Sequence, residues 1–332
     1  MQRIEHKYKN VSPIFKDIET YFTLVSEKDV KRTKSLVTNT YDESFSMLDN
    51  IFYTFAHLNS GIKFENKKYK TIHVKDSDTI IVCFSGGKDS IATALYYKEH
   101  GWNVILYHMR HINPPLSDEY IHAKRLAQEL DMPIYVDDIK LSGYHDYIEH
   151  PMKNMLIANG ALNYGISNNI TTKIAFGNYL YSSLADDNFD FCGGDCVEMW
   201  MAYENIIKRI IPDFEIYLCL ENLNDTLEKV CYNKTILDMS VSCICRANLR
   251  DYWHNWAETK YNLKLPKHRC GRCYKCCVEY IYMADHDLQE YNEDYYRYCL
   301  NNLEKNLKKE GCNEDVWNHY FFYDKGKSKY YG

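Results

Sequence analysis

A doubly wound α/β fold on a parallel sheet is what this sequence predicts, and three observations predict it. Short apolar runs recur along the middle of the chain, helical patterns separate them, and a glycine-containing loop directly follows the first run. The runs are near-continuously apolar instead of alternating, which is the pattern of strands covered on both faces.

Taken in order, the first run is TIIVCF at 79–84, rich in β-branched residues and read as a central strand. Residues 89–100 read as a helix closed by Gly101, and NVILYH at 103–108 supplies a second buried strand. A helix near 117–130 follows, with Ser117 as its cap and Asp118 and Glu119 suited to the positive end of its dipole. The strand PIYVD begins at Pro133. Helical patterns near 150–165 and 196–210 separate two more strands, TKIAFG at 172–177 and FEIYLCL at 214–220. In doubly wound sheets ligands sit beyond the carboxyl ends of the strands, so the loops after Phe84, His108 and Phe176 are expected to converge. Upstream, residues 1–72 carry only patches of helical period, such as Ile14, Phe15, Ile18, Tyr21 and Phe22, and no motif that chemistry explains.

The bulk composition narrows the function. At 332 residues, with 45% hydrophobic and 26% charged residues, the chain reads as one core domain with attachments. A net charge of −6 disfavours a surface for long nucleic acid, which needs a basic field, and favours a small-molecule substrate. Tyrosine, at 31, is in excess; beside much Asn and Lys it reads as the bias of an AT-rich genome ahead of a base-stacking surface. MQRIEHKYKN shows no secretion signal, and no apolar run approaches membrane-spanning length, so the expected location is the cytoplasm. Thirteen cysteines there imply reduced thiols and a metal site, not a disulfide framework.

Two motifs carry chemistry. Ser85-Gly86-Gly87-Lys88-Asp89-Ser90 lies between a strand and a helix, the setting in which glycines let backbone N–H groups approach a phosphate. Ser85 and Ser90 add hydroxyl donors, Lys88 can neutralise departing pyrophosphate, and Asp89 suits Mg²⁺ or loop orientation. Without further context a capped glycine turn would explain the same residues. Downstream, Cys270, Cys273 and Cys276 are spaced two residues apart, so that a turn can wrap three sulfurs around one ion. Cys243 and Cys245 are both candidates for a fourth ligand, while Cys277 is too close to Cys276. Lys267, His268, Arg269, Arg272 and Lys275 would offset the thiolate charge. Zinc is the leading metal, with an iron–sulfur cluster as the alternative.

SGGKDS after an apolar strand resembles the signature of the PP-loop ATP pyrophosphatases, and is not a Walker A loop, whose spacing is absent. The resemblance spans about residues 78–240 and implies a Rossmann-like PP-loop fold that cleaves ATP to AMP and pyrophosphate. Adding the serine-cysteine pair Ser242-Cys243 and the late Cys270–Cys276 run, the chain is similar to the 7-cyano-7-deazaguanine synthases of queuosine biosynthesis. Ile174–Asn178 looks like the strand and turn before that family's substrate loop. Gly194-Asp195-Cys196 is similar to its Pro-Asp-Cys-Arg segment, and Asn224–Val230 to the helix before the serine-cysteine pair.

This resemblance implies ATP and Mg²⁺ on Ser85 through Ser90 with Gly177, and zinc on Cys243, Cys270, Cys273 and Cys276. It makes Lys88 and Asp89 the catalytic pair and Asp195 the residue that holds a purine-like base, a role for which a helix cap is the competing explanation. It further implies an ATP-dependent C–N ligase, a 7-deazaguanine-type substrate with ammonia as partners, and a homodimer. The corresponding division is an N-terminal extension at 1–72, an ATP-binding domain at 73–240, a zinc-binding segment at 241–285 and a helical tail at 286–332. Val197 and Glu279 stand where the family pattern has arginines, and the interval between Cys243 and Cys270 is long. Those departures leave three alternatives open. One is a tRNA thiolation enzyme with an iron–sulfur cluster, and another is a relative serving phage DNA modification or antiviral defence. The third is a non-catalytic nucleotide- and zinc-binding module.

Overall fold

The computed structural model describes residues 73–74, 77–111, 117–139, 153–179, 203–204, 207–208, 211–220, 223–243, 245 and 247–310. Five strands form one parallel sheet: β1 Thr79–Cys83, β2 Asn103–His111, β3 Ile134–Ile139, β4 Lys173–Tyr179 and β5 Glu215–Leu220. Their spatial order is β3-β2-β1-β4-β5, so the direction of winding reverses between β1 and β4. The helices are α1 Lys88–Glu99, α2 Ser117–Glu129, α3 Lys153–Ser167, α4 Leu223–Cys231, α5 Lys234–Met239, α6 Ala247–Tyr261, α7 Tyr274–Asp285 and α8 Glu293–Glu310. The five predicted strands are all present, as are the helices expected near 89–100, 117–130 and 150–165. Of the pattern near 196–210, residues 203–204 and 207 are helical, 208 is a turn, and the rest lies outside the described residues.

Alternation along β1 explains why both faces are apolar. Ile80 and Val82 belong to one buried cluster with Ile91 and Ala94 of α1 and Ala123 and Leu126 of α2. Ile81 points to the other face, where its Cδ1 lies 2.9 Å from the place a Cβ on Gly165 of α3 would occupy. Ile80, Ile81 and Val82 are fully shut off from water, and burial of each contributes about 1.5–3 kcal/mol. The first of those clusters does not stop at the sheet. It continues through Leu227 and Val230 of α4, Val278 and Ile281 of α7 and Leu303 of α8, so the cysteine-rich segment shares a core with the strands.

β2 runs to His111, three residues beyond the apolar NVILYH, because its ladder with β3 continues through Met109↔Asp137, Arg110↔Asp138 and His111↔Ile139. Backbone pairing holds those positions, and an ion pair between Arg110 and Asp138 covers them, so apolarity is not required.

Candidate functional site

The loop after β1 stands at the carboxyl edge of the sheet beside the winding reversal, where doubly wound sheets bind ligands. Phe84 N–H donates to Tyr107 O at 2.7 Å, carrying the β1–β2 ladder up to the loop, and buried His108 places Nδ1 2.8 Å from Phe84 O. Gly86 then turns with φ +79°, a left-handed conformation that favours glycine. A Cβ there would also come within 3.3 Å of the Ala123 backbone in α2. Gly87 caps α1, and the acidic Asp89 lies in its first turn.

Within the loop the polar groups bond mainly to one another, and several at long range. Gly87 N–H reaches Ser85 Oγ at 3.3 Å, Ser85 N–H reaches Ser90 Oγ at 3.3 Å, and the two serine hydroxyls are 3.4 Å apart. Lys88 is buried, and its Nζ lies 2.9 Å from Asp89 Oδ1. An anion arriving here meets donors whose present bonds are cheap to exchange, next to a cation already in place. Gly177 brings β4 against this start of α1: a Cβ on it would lie 2.8 Å from both the carbonyl carbon and oxygen of Asp89.

A second segment docks on the loop. Lys88 N–H donates to Ser242 Oγ at 2.9 Å, and Val241 N–H donates to Gly86 O at 3.2 Å. One end of that segment, Ser240, is gripped by Arg269. The five N–H groups of this buried guanidinium go to Glu279 Oε1 at 2.5 Å, Ser240 O at 2.6 Å, Ser240 Oγ at 2.9 Å, Leu237 O at 3.2 Å and Lys267 O at 3.3 Å. Glu279, where the resemblance leads one to expect arginine, is buried as the counter-ion of Arg269.

At the other end of the docked segment, Cys243 enters a group of sulfurs. The Sγ atoms of Cys243, Cys245, Cys270 and Cys273 lie within 4.8 Å of one another. Cys276 Sγ joins them at 3.4 Å from Cys273 and 3.9 Å from Cys270, and Cys243 is 3.9 Å from Cys273. Four sulfurs bound tetrahedrally at about 2.3 Å are roughly 3.8 Å apart, so these separations suit a thiolate-bound zinc. Arg272 and Cys273 N–H groups donate to Cys270 Sγ at 3.3 and 3.1 Å, which offsets thiolate charge. The S–H groups of Cys243, Cys245, Cys270 and Cys276 hold the Cys273 thiol far below the usual range. Cys270 and Cys276 are pushed up, foremost by their contact with Cys243, and Cys245 foremost by its contact with Cys273. A metal ion bound by these sulfurs would displace the thiol protons. Cys277 turns away, with its sulfur 3.8 Å from Arg272 O and 3.3 Å from Asn302 Nδ2.

No protein-family model matches the chain, and none of the curated proteins matches it. Solved structures similar to parts of it include the following two. One is described as a predicted subunit of tRNA methyltransferase from Methanocaldococcus jannaschii, at 18% identity over 44% of this chain and 69% of that chain, with a TM-score of 0.28. The other is the NMN synthetase from Francisella tularensis, at 13% identity over 70% of this chain and 87% of that one, with a TM-score of 0.32. At these scores the likeness carries no weight, and the reading of the site rests on its own geometry.

The structure therefore places Ser85 through Ser90 and Gly177 together, and brings Cys243, Cys270, Cys273 and Cys276 together with Cys245. Asp195 and Cys196 lie outside the described residues, as do residues 1–72 and 311–332. Missed from the sequence were Ser242 as a partner of the loop and the Arg269–Glu279 pair. Only Ser242 had a signal, its adjacency to a candidate metal ligand. No local pattern announces two ion-pair partners ten residues apart across a cysteine knuckle.

Proposed function

We propose that this chain is an ATP-dependent ligase that forms AMP and pyrophosphate, activates a carboxylate or amide oxygen, and admits ammonia as the nucleophile. The observation that carries the reading is a left-handed glycine turn and a buried lysine at the helix start, on the carboxyl edge of a parallel sheet where its winding reverses.

In this reading a carboxylate oxygen of a 7-deazaguanine-type acceptor attacks the α-phosphorus of ATP. The bond from that phosphorus to the bridging oxygen breaks, and pyrophosphate leaves with the electron pair. Lys88 and the amides of Gly86, Gly87 and Lys88 take up the charge on the leaving group. Lys88 must exchange its contact with Asp89 to do this, which frees the Asp89 carboxylate for Mg²⁺, an oxygen-seeking ion. Ammonia attacks the activated carbonyl carbon, loses a proton and displaces AMP, giving an amide. A second activation on the amide oxygen, followed by loss of AMP and two protons, gives a nitrile. Asp195 is assigned to the acceptor base, whose paired N–H groups a carboxylate can accept.

Zinc on Cys243, Cys270, Cys273 and Cys276 would supply no chemistry in such a site and would hold the docked segment against the loop. Cys245 is within reach to serve as an alternative fourth ligand. The decisive experiment is acceptor-dependent pyrophosphate release from ATP. It is expected with a carboxylated deazapurine plus ammonia and lost in Asp89→Ala. Release that is indifferent to every acceptor would overturn the reading.

A further inference from the structure

Among the described residues five sulfurs meet at the thiol cluster, and a tetrahedral ion takes four. Cys270, Cys273 and Cys276 come from one knuckle at the start of α7, with Cys276 Sγ 3.4 Å from Cys273 and 3.9 Å from Cys270. Cys243 completes a set of four at 3.9 Å from Cys273. Cys245 is the one left over. Its Sγ lies within 4.8 Å of those of Cys243, Cys270 and Cys273, yet a four-coordinate site that holds the other sulfurs has no place for it. The five also differ in access to water: Cys270 and Cys276 are buried, whereas Cys243, Cys245 and Cys273 are half-buried.

A fifth thiol beside four ligands is placed to form a disulfide with one of them. Exposure and the contacts of each sulfur select the partner. Cys270 is the least suited, being buried and held by the Arg272 and Cys273 N–H groups at 3.3 and 3.1 Å. Cys276 is buried as well. Cys243 and Cys273 remain, and both belong to the set of four, so a bond from Cys245 to either removes a metal ligand. Cys243 also follows Ser242, whose hydroxyl accepts from Lys88 N–H at 2.9 Å, so a loss of the ion reaches the glycine loop through the docked segment.

We propose that Cys245 is an oxidisable thiol through which hydrogen peroxide expels the metal from the cluster, by joining Cys245 to one of the two half-buried ligands, Cys243 or Cys273. The Cys245 thiol and peroxide give a sulfenic acid and one water. The sulfur of Cys243 or Cys273 then attacks the sulfenic sulfur, the S–O bond breaks, and the departing hydroxide takes up a proton to become a second water. Two thiols are thereby oxidised by two electrons to a disulfide, peroxide is reduced to water, and one of the four ligand positions is lost. The inference rests on the metal assignment made above and is independent of the ligase chemistry.

Treatment of the full-length protein with hydrogen peroxide tests this, with released zinc read by a chromogenic chelator and thiol pairing by peptide mass spectrometry. Wild type is expected to release its zinc, about one per chain, and to yield a peptide that joins Cys245 to Cys273 or Cys243. Cys245→Ser should hold the same zinc before treatment and keep it at the same peroxide dose. Hydrogen exchange at the Lys88 and Val241 amides, which bond across the junction with the loop, should quicken in oxidised wild type and not in treated Cys245→Ser. A second measurement needs no substitution: limiting iodoacetamide should alkylate Cys245 ahead of the four ligands, with zinc retained. Zinc release undiminished in Cys245→Ser, a disulfide that omits Cys245, or a ligand alkylated before Cys245 overturns the proposal. So does loss of zinc from untreated Cys245→Ser, which would make Cys245 a ligand. If untreated wild type carries no zinc, the metal assignment falls by itself, and the disulfide mapping still decides whether Cys245 is the thiol oxidised.

Discussion

The glycine loop and the thiol cluster both meet one short segment, Ser240 to Cys243, the loop at Val241 and Ser242 and the cluster at Cys243, and their polar groups are held in opposite ways. Around the cluster every donor of Arg269 has an acceptor, the pair with Glu279 is buried on both sides, and backbone amides point at Cys270. In the loop, apart from a 3.0 Å bond from the Ser90 hydroxyl to Gly87 O, the contacts among Ser85, Gly87 and Ser90 are 3.3–3.4 Å long, and the Asp89 side chain is partly exposed. Groups of the first kind fix a geometry, and groups of the second kind can change partners when a ligand arrives. Ser242 joins the two, since its hydroxyl holds a loop amide while its neighbour Cys243 belongs to the cluster.

The largest expected effect sharpens the rigid half of this contrast. Glu279→Ala leaves a buried guanidinium without its counter-ion and should cost about 3–5 kcal/mol of stability by chemical denaturation. Replacing both partners, as in Arg269→Met with Glu279→Leu, should recover most of that loss. A Glu279→Ala protein as stable as wild type would break the contrast.

Next comes the loop, where the expected loss is in turnover. Asp89→Ala should lower acceptor-dependent pyrophosphate release by roughly a hundredfold to a thousandfold while shifting the melting temperature little. If the same change unfolded the protein, the loop would belong with the rigid half.

Cys273→Ser is expected to remove about one zinc per chain by metal analysis and to lower the melting temperature, because it deletes the thiol that most of the others face. Retention of the full zinc content would mean that Cys243, Cys245, Cys270 and Cys276 suffice.

Gly177→Ala puts a methyl group 2.8 Å from the Asp89 carbonyl, a backbone contact that must open. ATP binding should weaken severalfold, on a stability cost of about 1–3 kcal/mol. The smallest change is Ser242→Ala. It should cost about 1 kcal/mol of stability and tighten ATP binding slightly, since the Lys88 amide no longer has to leave a partner.

Much of the fold was legible because its strands are buried on both faces and so read as apolar runs, as TIIVCF does. Legibility ended where backbone pairing continues without apolar side chains, at Met109 to His111. In the site, glycine and cysteine spacing pointed to the loop and to the cluster, since a tight turn and a shared ion each impose a local spacing. The contacts that join them were not legible, because Ser242 meets Lys88 across 154 positions and Arg269 meets Glu279 across a turn with no repeat. Glu279 shows this most clearly. In the sequence it is a departure from a family pattern, and in the structure it neutralises a buried cation.

The central claim is that the loop after β1 holds ATP for attack at its α-phosphorus. Mass spectrometry of the nucleotide and acceptor products after incubation with ATP, Mg²⁺, ammonia and carboxylated deazaguanines tests it most directly. The account predicts AMP and pyrophosphate in equal amounts, matched by an amide or nitrile of the acceptor. ADP with inorganic phosphate, or ATP left intact beside every acceptor, would contradict it.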